Sequence, residues 1–355
     1  MRLDIMQFFR DAVGQQCSDV YVVAGLSLTF KVNGHLVPYG DIRLSPADTE
    51  ELVTGIYALA GNRDMSTFLA TGDDDFSFAL PGVSRFRVSA YKQRNSLAAV
   101  IRVVNFELPD PAVLGIPPAV LDLAQRTKGL VLVTGPAGSG KSTTLACIID
   151  RINSSRNDHI ITLEDPLEYL HRHNKSIVSQ REISSDTDSY VKALRAALRQ
   201  SPDVILLGEM RDFETINVAM TAAETGHLVI STLHTVGAAN TIDRIIDAFP
   251  SNQQHQIRVQ LSMILQAVVS QQLVPTKDGK VVAAFEIMLV NSAVRNMIRE
   301  SKIHQIDTVI QSSGGEGMLT MDSCLLDLYK KGIISQKKAI IYSTNADTMS
   351  KKVNL

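Results

Sequence analysis

The sequence predicts an α/β protein, with a smaller α+β domain ahead of the main sheet and a helical segment behind it. Three observations carry this. Apolar runs of strand length, GLVLVTG (129–135), HIITLED (159–165), DVILLGE (203–209) and HLVISTLHT (227–235), alternate with helical stretches. That is the pattern of a parallel sheet buried on both faces. Residues 1–105 instead combine short strand-like runs with one or two helices, an α+β pattern. Between the two lie Pro109, Pro111, Pro117 and Pro118, and prolines so dense interrupt any regular element.

Within the first domain, SDVYVVAG (18–25) and SLTFKVNGHLV (27–37) have strand character, Ser45-Pro46 is a helix start signal, and DFSFAL (75–80) is a further strand. The run SRFRVSAYKQRNSLAAVIRVV (84–104) is long enough to fold back as a hairpin. The domain is therefore expected over 1–105, a linker over 106–118, and a second domain over 119–355 that turns helical and polar from about Asn291. A Gly-rich break from Ser312 to Gly317 reads as a flexible loop.

Of the 355 residues, 45% are hydrophobic and 20% charged, which excludes a disordered chain or a fibre. Lys and Arg total 35 against 37 for Asp and Glu, so a net charge of −2 offers no bulk attraction to nucleic acid or anionic lipid. Cys17, Cys147 and Cys324 are too scattered for a paired metal motif or a disulfide framework, as suits a reducing cytosol. No apolar run approaches the ~18 residues of a membrane span. The expectation is a cytoplasmic protein that at most docks on a membrane.

The chemistry centres on Gly135-Pro136-Ala137-Gly138-Ser139-Gly140-Lys141-Ser142, a G-x-x-x-x-G-K-[ST] phosphate loop placed after a strand, as its mechanics require. Its glycines let backbone N–H groups face phosphates, and the helix beginning near Lys141 adds its positive end. Lys141 supplies mobile charge and the Ser142 hydroxyl is placed to ligate Mg²⁺; with Thr143 these residues form the candidate ATP site. Two apolar strands deliver acids towards it, ending in Glu164-Asp165 and in Glu209, with Gly208 where an aspartate often stands. Either glutamate can orient an attacking water, and the competing role for each is to cap the next helix. Together, beside a phosphate loop, they favour hydrolysis.

His227 and His234 lie seven apart around one strand, so a shared metal is not expected. His234, at the strand end, is placed to sense the γ phosphate or pass strain to a neighbour. His171 and His173 read as an exposed pair. Arg195 and Arg199 lie four apart on a helix face away from its apolar stripe, Arg87 and Arg102 flank the hairpin, and Arg244 follows the His234 segment. By pattern alone each arginine is a surface charge.

In this order and at these distances the segments resemble the secretion-superfamily ATPases, and within them the pilus-retraction branch, over nearly the whole chain. GPAGSGKSTTLA (135–146) is similar to the family's Walker A, ITLEDPLEY (161–169) to its Asp box, PDVILLGEMRD (202–212) to its Walker B, and TAAETGHLVISTLHT (221–235) to its His box. AVRNMIRE (293–300) resembles the motif associated with retraction, which makes Arg295 and Arg299 coupling candidates.

The resemblance implies a PAS-like first domain and a RecA-like ATPase domain, assembled as a homohexamer that uses ATP and Mg²⁺. It implies that Arg87, Arg102, Arg199 and Arg244 surround the triphosphate, that Glu164 activates water, and that Glu209 supports Mg²⁺. It also implies an inner-membrane pilus platform protein as partner, pilin acted on indirectly, and a place at the inner face of the cell membrane. Other readings are an accessory paralogue of the retraction motor, a related type II/IV secretion ATPase, or a regulatory scaffold that binds nucleotide and hydrolyses almost none. A nucleic-acid motor is disfavoured by absent Trp and 5% aromatics, which leave little for stacking.

Overall fold

A computed structural model describes residues 4–32, 34–104 and 108–354. The expected boundary at residues 105 and 106 lies outside them. The chain divides into two compact units, Met1–Glu107 with Glu168–Leu170, and Leu108–Leu167 with His171–Leu355.

The first unit runs α1 (Ile5–Gly14), β1 (Asp19–Val22), β2 (Ser27–Val32), β3 (His35–Arg43), α2 (Pro46–Leu59), α3 (Ser66–Thr71), β4 (Asp73–Leu80), β5 (Ser84–Gln93) and β6 (Ser96–Val104). Its described residues hold three helices rather than one or two: α1 is capped by Asp4, whose carboxylate accepts from the Met6 and Gln7 amides, and α3 is a six-residue turn closed by Gly72. Ser45 and Asp48 form the capping box that starts α2. The strands form one sheet in the order β3-β2-β1-β6-β5-β4, β5 and β6 being the predicted hairpin. Phe8, Phe9, Phe30, Phe86 and Ile101 are buried in one core cluster.

In the second unit the proline-rich stretch packs partly onto the sheet through buried Ile116 and leads into α4 (Pro118–Leu121). Then follow β7 (Gly129–Thr134), α5 (Lys141–Ser155), β8 (His159–Glu164), β9 (Ile177–Glu182), α6 (Tyr190–Ala197), β10 (Val204–Leu207), α7 (Phe213–Glu224), β11 (Leu228–Leu233), α8 (Ala238–Asp247) and α9 (Gln254–Ile264). A hairpin of β12 (Leu265–Pro275) and β13 (Val281–Leu289) precedes α10 (Ser292–Arg299), α11 (Ile306–Ser312), α12 (Met321–Lys330), α13 (Gln336–Tyr342) and α14 (Ala346–Val353).

Among the described residues seven strands order as β13-β12-β7-β11-β10-β8-β9, parallel except for the antiparallel edge strand β13. Alternate residues of one strand serve two cores: Leu130 and Leu132 pack towards α6 to α11, Val131 and Val133 towards α4 and α5. This two-sided burial is why β7, β8, β10 and β11 read as unbroken apolar runs. β9 lacks such a run because it is an edge strand with a mixed burial pattern. The Gly-rich break is a 3₁₀ turn over Gly314–Glu316 closed by Gly317 at φ +89°, not an open loop. Among the described residues no helix is long and apolar enough to cross a membrane.

Candidate nucleotide-binding site

Parallel pairing brings the C-terminal ends of β7, β11, β10 and β8 to one sheet edge, where open α/β sheets place ligands. The phosphate loop leaves β7 there and α5 begins at Lys141, with Gly140 before it at φ +85°. Gly135 permits the closest approach: at φ +141°, a Cβ on it would stand 2.2 Å from the Gln271 carbonyl oxygen. The Lys141 ammonium donates to the Gly135 and Pro136 carbonyls, each at 2.9 Å. Ser139 is buried, and its hydroxyl has no hydrogen-bond partner among the described residues; Ser142 and Thr143 lie half-buried in the first turn of α5.

The sheet order sets the distances of the other groups. His234 follows β11, next to the loop's strand; Glu209 follows β10, the second strand away; Glu164 ends β8, the third. At ~4.8 Å per strand, Glu209 lies about 10 Å and Glu164 about 14 Å along the edge from the loop's strand. Glu209 is held through Oε2, which meets Arg211 Nε at 2.6 Å and His234 Nε2 at 3.3 Å. The second contact needs a proton on His234 Nε2. Glu164 Oε1 accepts a 2.6 Å hydrogen bond from the Thr162 hydroxyl two residues back on the same strand face. Neither glutamate caps a helix: Asp212 caps α7, and β8 leads into β9 with no helix between them.

Tyr190, Arg211 and Gln271 belong to this edge; Arg211 falls in the 202–212 segment, whereas Tyr190 and Gln271 carry no motif signature. The Tyr190 hydroxyl ends 2.7 Å from where a Gly208 Cβ would stand, which explains glycine at that position. Burial, then the charges of Glu209, Asp165 and Glu164, push the Tyr190 phenol well above its ordinary pKa. The Glu209 carboxylate, in turn, raises the pKa of Arg211. One signal for Gln271 exists in the sequence, since Gln271-Gln272 interrupts the apolar run of β12.

The remaining residues separate. Arg199 lies beyond the C-terminal end of α6, exposed, with Nη1 on the Arg195 carbonyl. Its neighbour Gln200 reaches His159 at the start of β8, so Arg199 stands at the sheet edge opposite the phosphate loop. Arg244 is exposed on α8. Arg87 and Arg102 belong to the first unit, where they are directly opposed across β5 and β6. Arg102 donates to buried Asp19 at 3.1 Å, and Asp19 also faces Lys31. On α10, Arg295 and Arg299 are exposed while Val294 and Ile298 are buried. His227 accepts a structural role, its Nδ1 lying 2.9 Å from the Ala222 carbonyl. Of His171 and His173 only the second is exposed, its Nδ1 accepting from the Val178 amide at 3.1 Å; His171 is half-buried.

Known proteins are similar to this chain over nearly its whole length. The chain is 44% identical over 337 residues, 95% of its length and 97% of the relative's, to the type IV pilus retraction ATPase PilT of Pseudomonas aeruginosa. It is 38% identical to the type IV pilus ATPase PilU of the same organism, covering 99% of this chain and 92% of that one. A crystal structure of the pilus retraction motor PilT with bound ADP superposes with a TM-score of 0.90 at 45% identity, covering 99% of this chain and 100% of that one. The family model described as type II/IV secretion system protein matches residues 1–324, and the chain belongs to that family.

Proposed function

We propose that the chain is a motor ATPase that converts ATP and water to ADP and phosphate and uses the resulting movement to retract type IV pili. One observation carries the reading: the loop Gly135–Ser142 opens α5 at the same sheet edge that presents Glu209 and Glu164. Phosphoryl transfer demands positioning and charge stabilisation more than covalent chemistry from the protein. Loop amides and the α5 N-terminus receive the phosphates, Lys141 adds its charge on a flexible stem, and Glu164 aligns the attacking water. Ser142 and Glu209 are hard oxygen donors that would hold a magnesium ion, and an ion bound with substrate phosphates needs few protein ligands. When bound, it neutralises charge on the transferred group.

Arg87, Arg102, Arg199 and Arg244 are proposed to complete the charge around the triphosphate, Arg199 by acting on a neighbouring copy within a homohexamer. The partner is an inner-membrane pilus platform protein, pilin is moved through it, and the motor works in the cytoplasm against the membrane's inner face. Arg295 and Arg299 form the coupling surface. The test has two arms. Lys141→Ala in the purified protein should remove most phosphate release, and deletion of the gene should leave cells whose pili form but no longer retract. Wild-type turnover in Lys141→Ala would refute the loop's role. The relationship to PilU supports a second reading, an accessory retraction motor; deletion cells would then still retract, and activity would require coexpression with a partner motor.

A further inference from the structure

Gln271 is one of four polar residues of β12, with Gln266, Ser270 and Gln272, and it is buried, at 3% exposure. It sits one position past the last β12–β7 pair, Ser270 with Thr134, and so lies beside the start of the phosphate loop rather than beside the strand. Three contacts place it there. Its backbone oxygen is the atom that a Cβ on Gly135 would strike at 2.2 Å, and its Nε2 is 2.9 Å from where a Gly140 Cβ would stand. Its Oε1 accepts a 2.7 Å hydrogen bond from the Thr144 hydroxyl in the first turn of α5. One residue thus crowds the beginning and the end of the loop and hydrogen-bonds its exit helix.

The strand beneath is held on both sides. Ser270 Oγ accepts from the Gly237 amide at 2.9 Å, Gln272 Nε2 donates to the Tyr342 carbonyl at 3.4 Å, and β13 pairs along β12 from Ala267 to Pro275. A side chain anchored on so constrained a strand keeps its polar ends in place. A glycine-rich loop gains no such order from its own sequence, since glycine loses the most conformational freedom on being fixed.

We propose that Gln271 is a positioning residue for the nucleotide: it holds the phosphate loop and the first turn of α5 in the shape that receives phosphates, through Thr144. It touches no reacting atom, so its loss should weaken nucleotide binding in ground and transition states alike, raising KM with little change in kcat. The inference rests on the loop being the nucleotide site.

The experiment measures affinity of the full-length protein for a fluorescent ADP analogue, together with kcat and KM for ATP. Gln271→Met keeps the volume and removes both polar ends; Thr144→Val removes the hydroxyl and Thr144→Ser keeps it. Gln271→Met and Thr144→Val should each weaken ADP binding and raise KM about tenfold with kcat within about threefold. Their combination should be no worse than either alone, and Thr144→Ser should restore affinity to within about threefold. Wild-type affinity in Gln271→Met, or losses that multiply in the double variant, would overturn the assignment while the nucleotide site stands. Failure of the wild-type protein to bind ADP would remove both. If Gln271→Met does not fold, equal affinities in Thr144→Val and Thr144→Ser overturn the proposal, and a tenfold gap between them sustains it.

Discussion

Gly208→Ala places one methyl group at the crowded end of β10. The new Cβ would stand 2.7 Å from the Tyr190 hydroxyl and 3.4 Å from both the Glu164 Cα and the Leu163 carbonyl. The two backbone contacts are at the limit of ordinary packing, but the hydroxyl must retreat by about 0.7 Å to reach it. Tyr190 packs against the buried cluster under α6 and α7, so the ring cannot move freely, and overpacking of this kind costs about 1–3 kcal/mol. In a unit of this size that lowers Tm by about 2–12 °C. Thermal melts followed by circular dichroism measure the loss. Gly208→Ala combined with Tyr190→Phe should recover more than half of it, because the clashing atom is gone. Gly208→Asp should lose more than alanine does, since it adds a fourth carboxylate to Glu164, Asp165 and Glu209, and its phosphate release should fall as well. A Gly208→Ala protein that melts like wild type, or a Tyr190→Phe change that rescues nothing, would refute the steric account of this glycine.

Glu164→Gln and Glu209→Gln should each leave ADP binding measurable while phosphate release falls about a hundredfold or more. If Glu164→Gln hydrolyses normally and Glu209→Gln is inactive, the nearer carboxylate aligns the water and the two roles exchange. Arg295→Ala, on the exposed face of α10, should keep ATP turnover within a few-fold of wild type yet abolish retraction in cells; parallel loss of both would place the helix in catalysis or folding. Ile298→Asp should unfold the terminal helices, since it replaces a fully buried side chain with a charge, as loss of helical signal would report. Arg87→Ala and Arg102→Ala should strongly lower turnover while ADP still binds the second unit, because an arginine completing a γ-phosphate site can be worth about 10³–10⁵ in rate. Turnover by residues 119–355 alone at the full-chain rate would remove the first-unit arginines from the site.

The parallel sheet, the phosphate loop and both glutamate-bearing strands were readable from residue order because their causes are local. Two-sided burial writes an apolar run, and a loop that curls around phosphates must write glycines at fixed spacing. Helical period likewise brings Val294, Met297 and Ile298 of α10 to one inward face, and Val294 and Ile298 are buried there while Met297 is partly buried. What residue order could not supply was juxtaposition across the sheet. Tyr190 and Gly208 are eighteen positions apart, and Gln271 and Thr144 are separated by 127; no periodicity links them, and only the packing of α6 and α5 against the sheet brings each pair together. The strand order places Glu209 nearer the loop than Glu164, although in sequence the two look like equal neighbours of one site, and the end of α6 carries Arg199, which only the resemblance brought to the triphosphate, to the opposite edge. Edge strand β9 escaped for the complementary reason: its side chains face mixed surroundings, so burial leaves no continuous apolar mark. In β12 the apolar run is broken at Gln266 and from Ser270 to Gln272, whereas β13 is apolar but for Glu286, and its place at the edge is set by antiparallel pairing with β12.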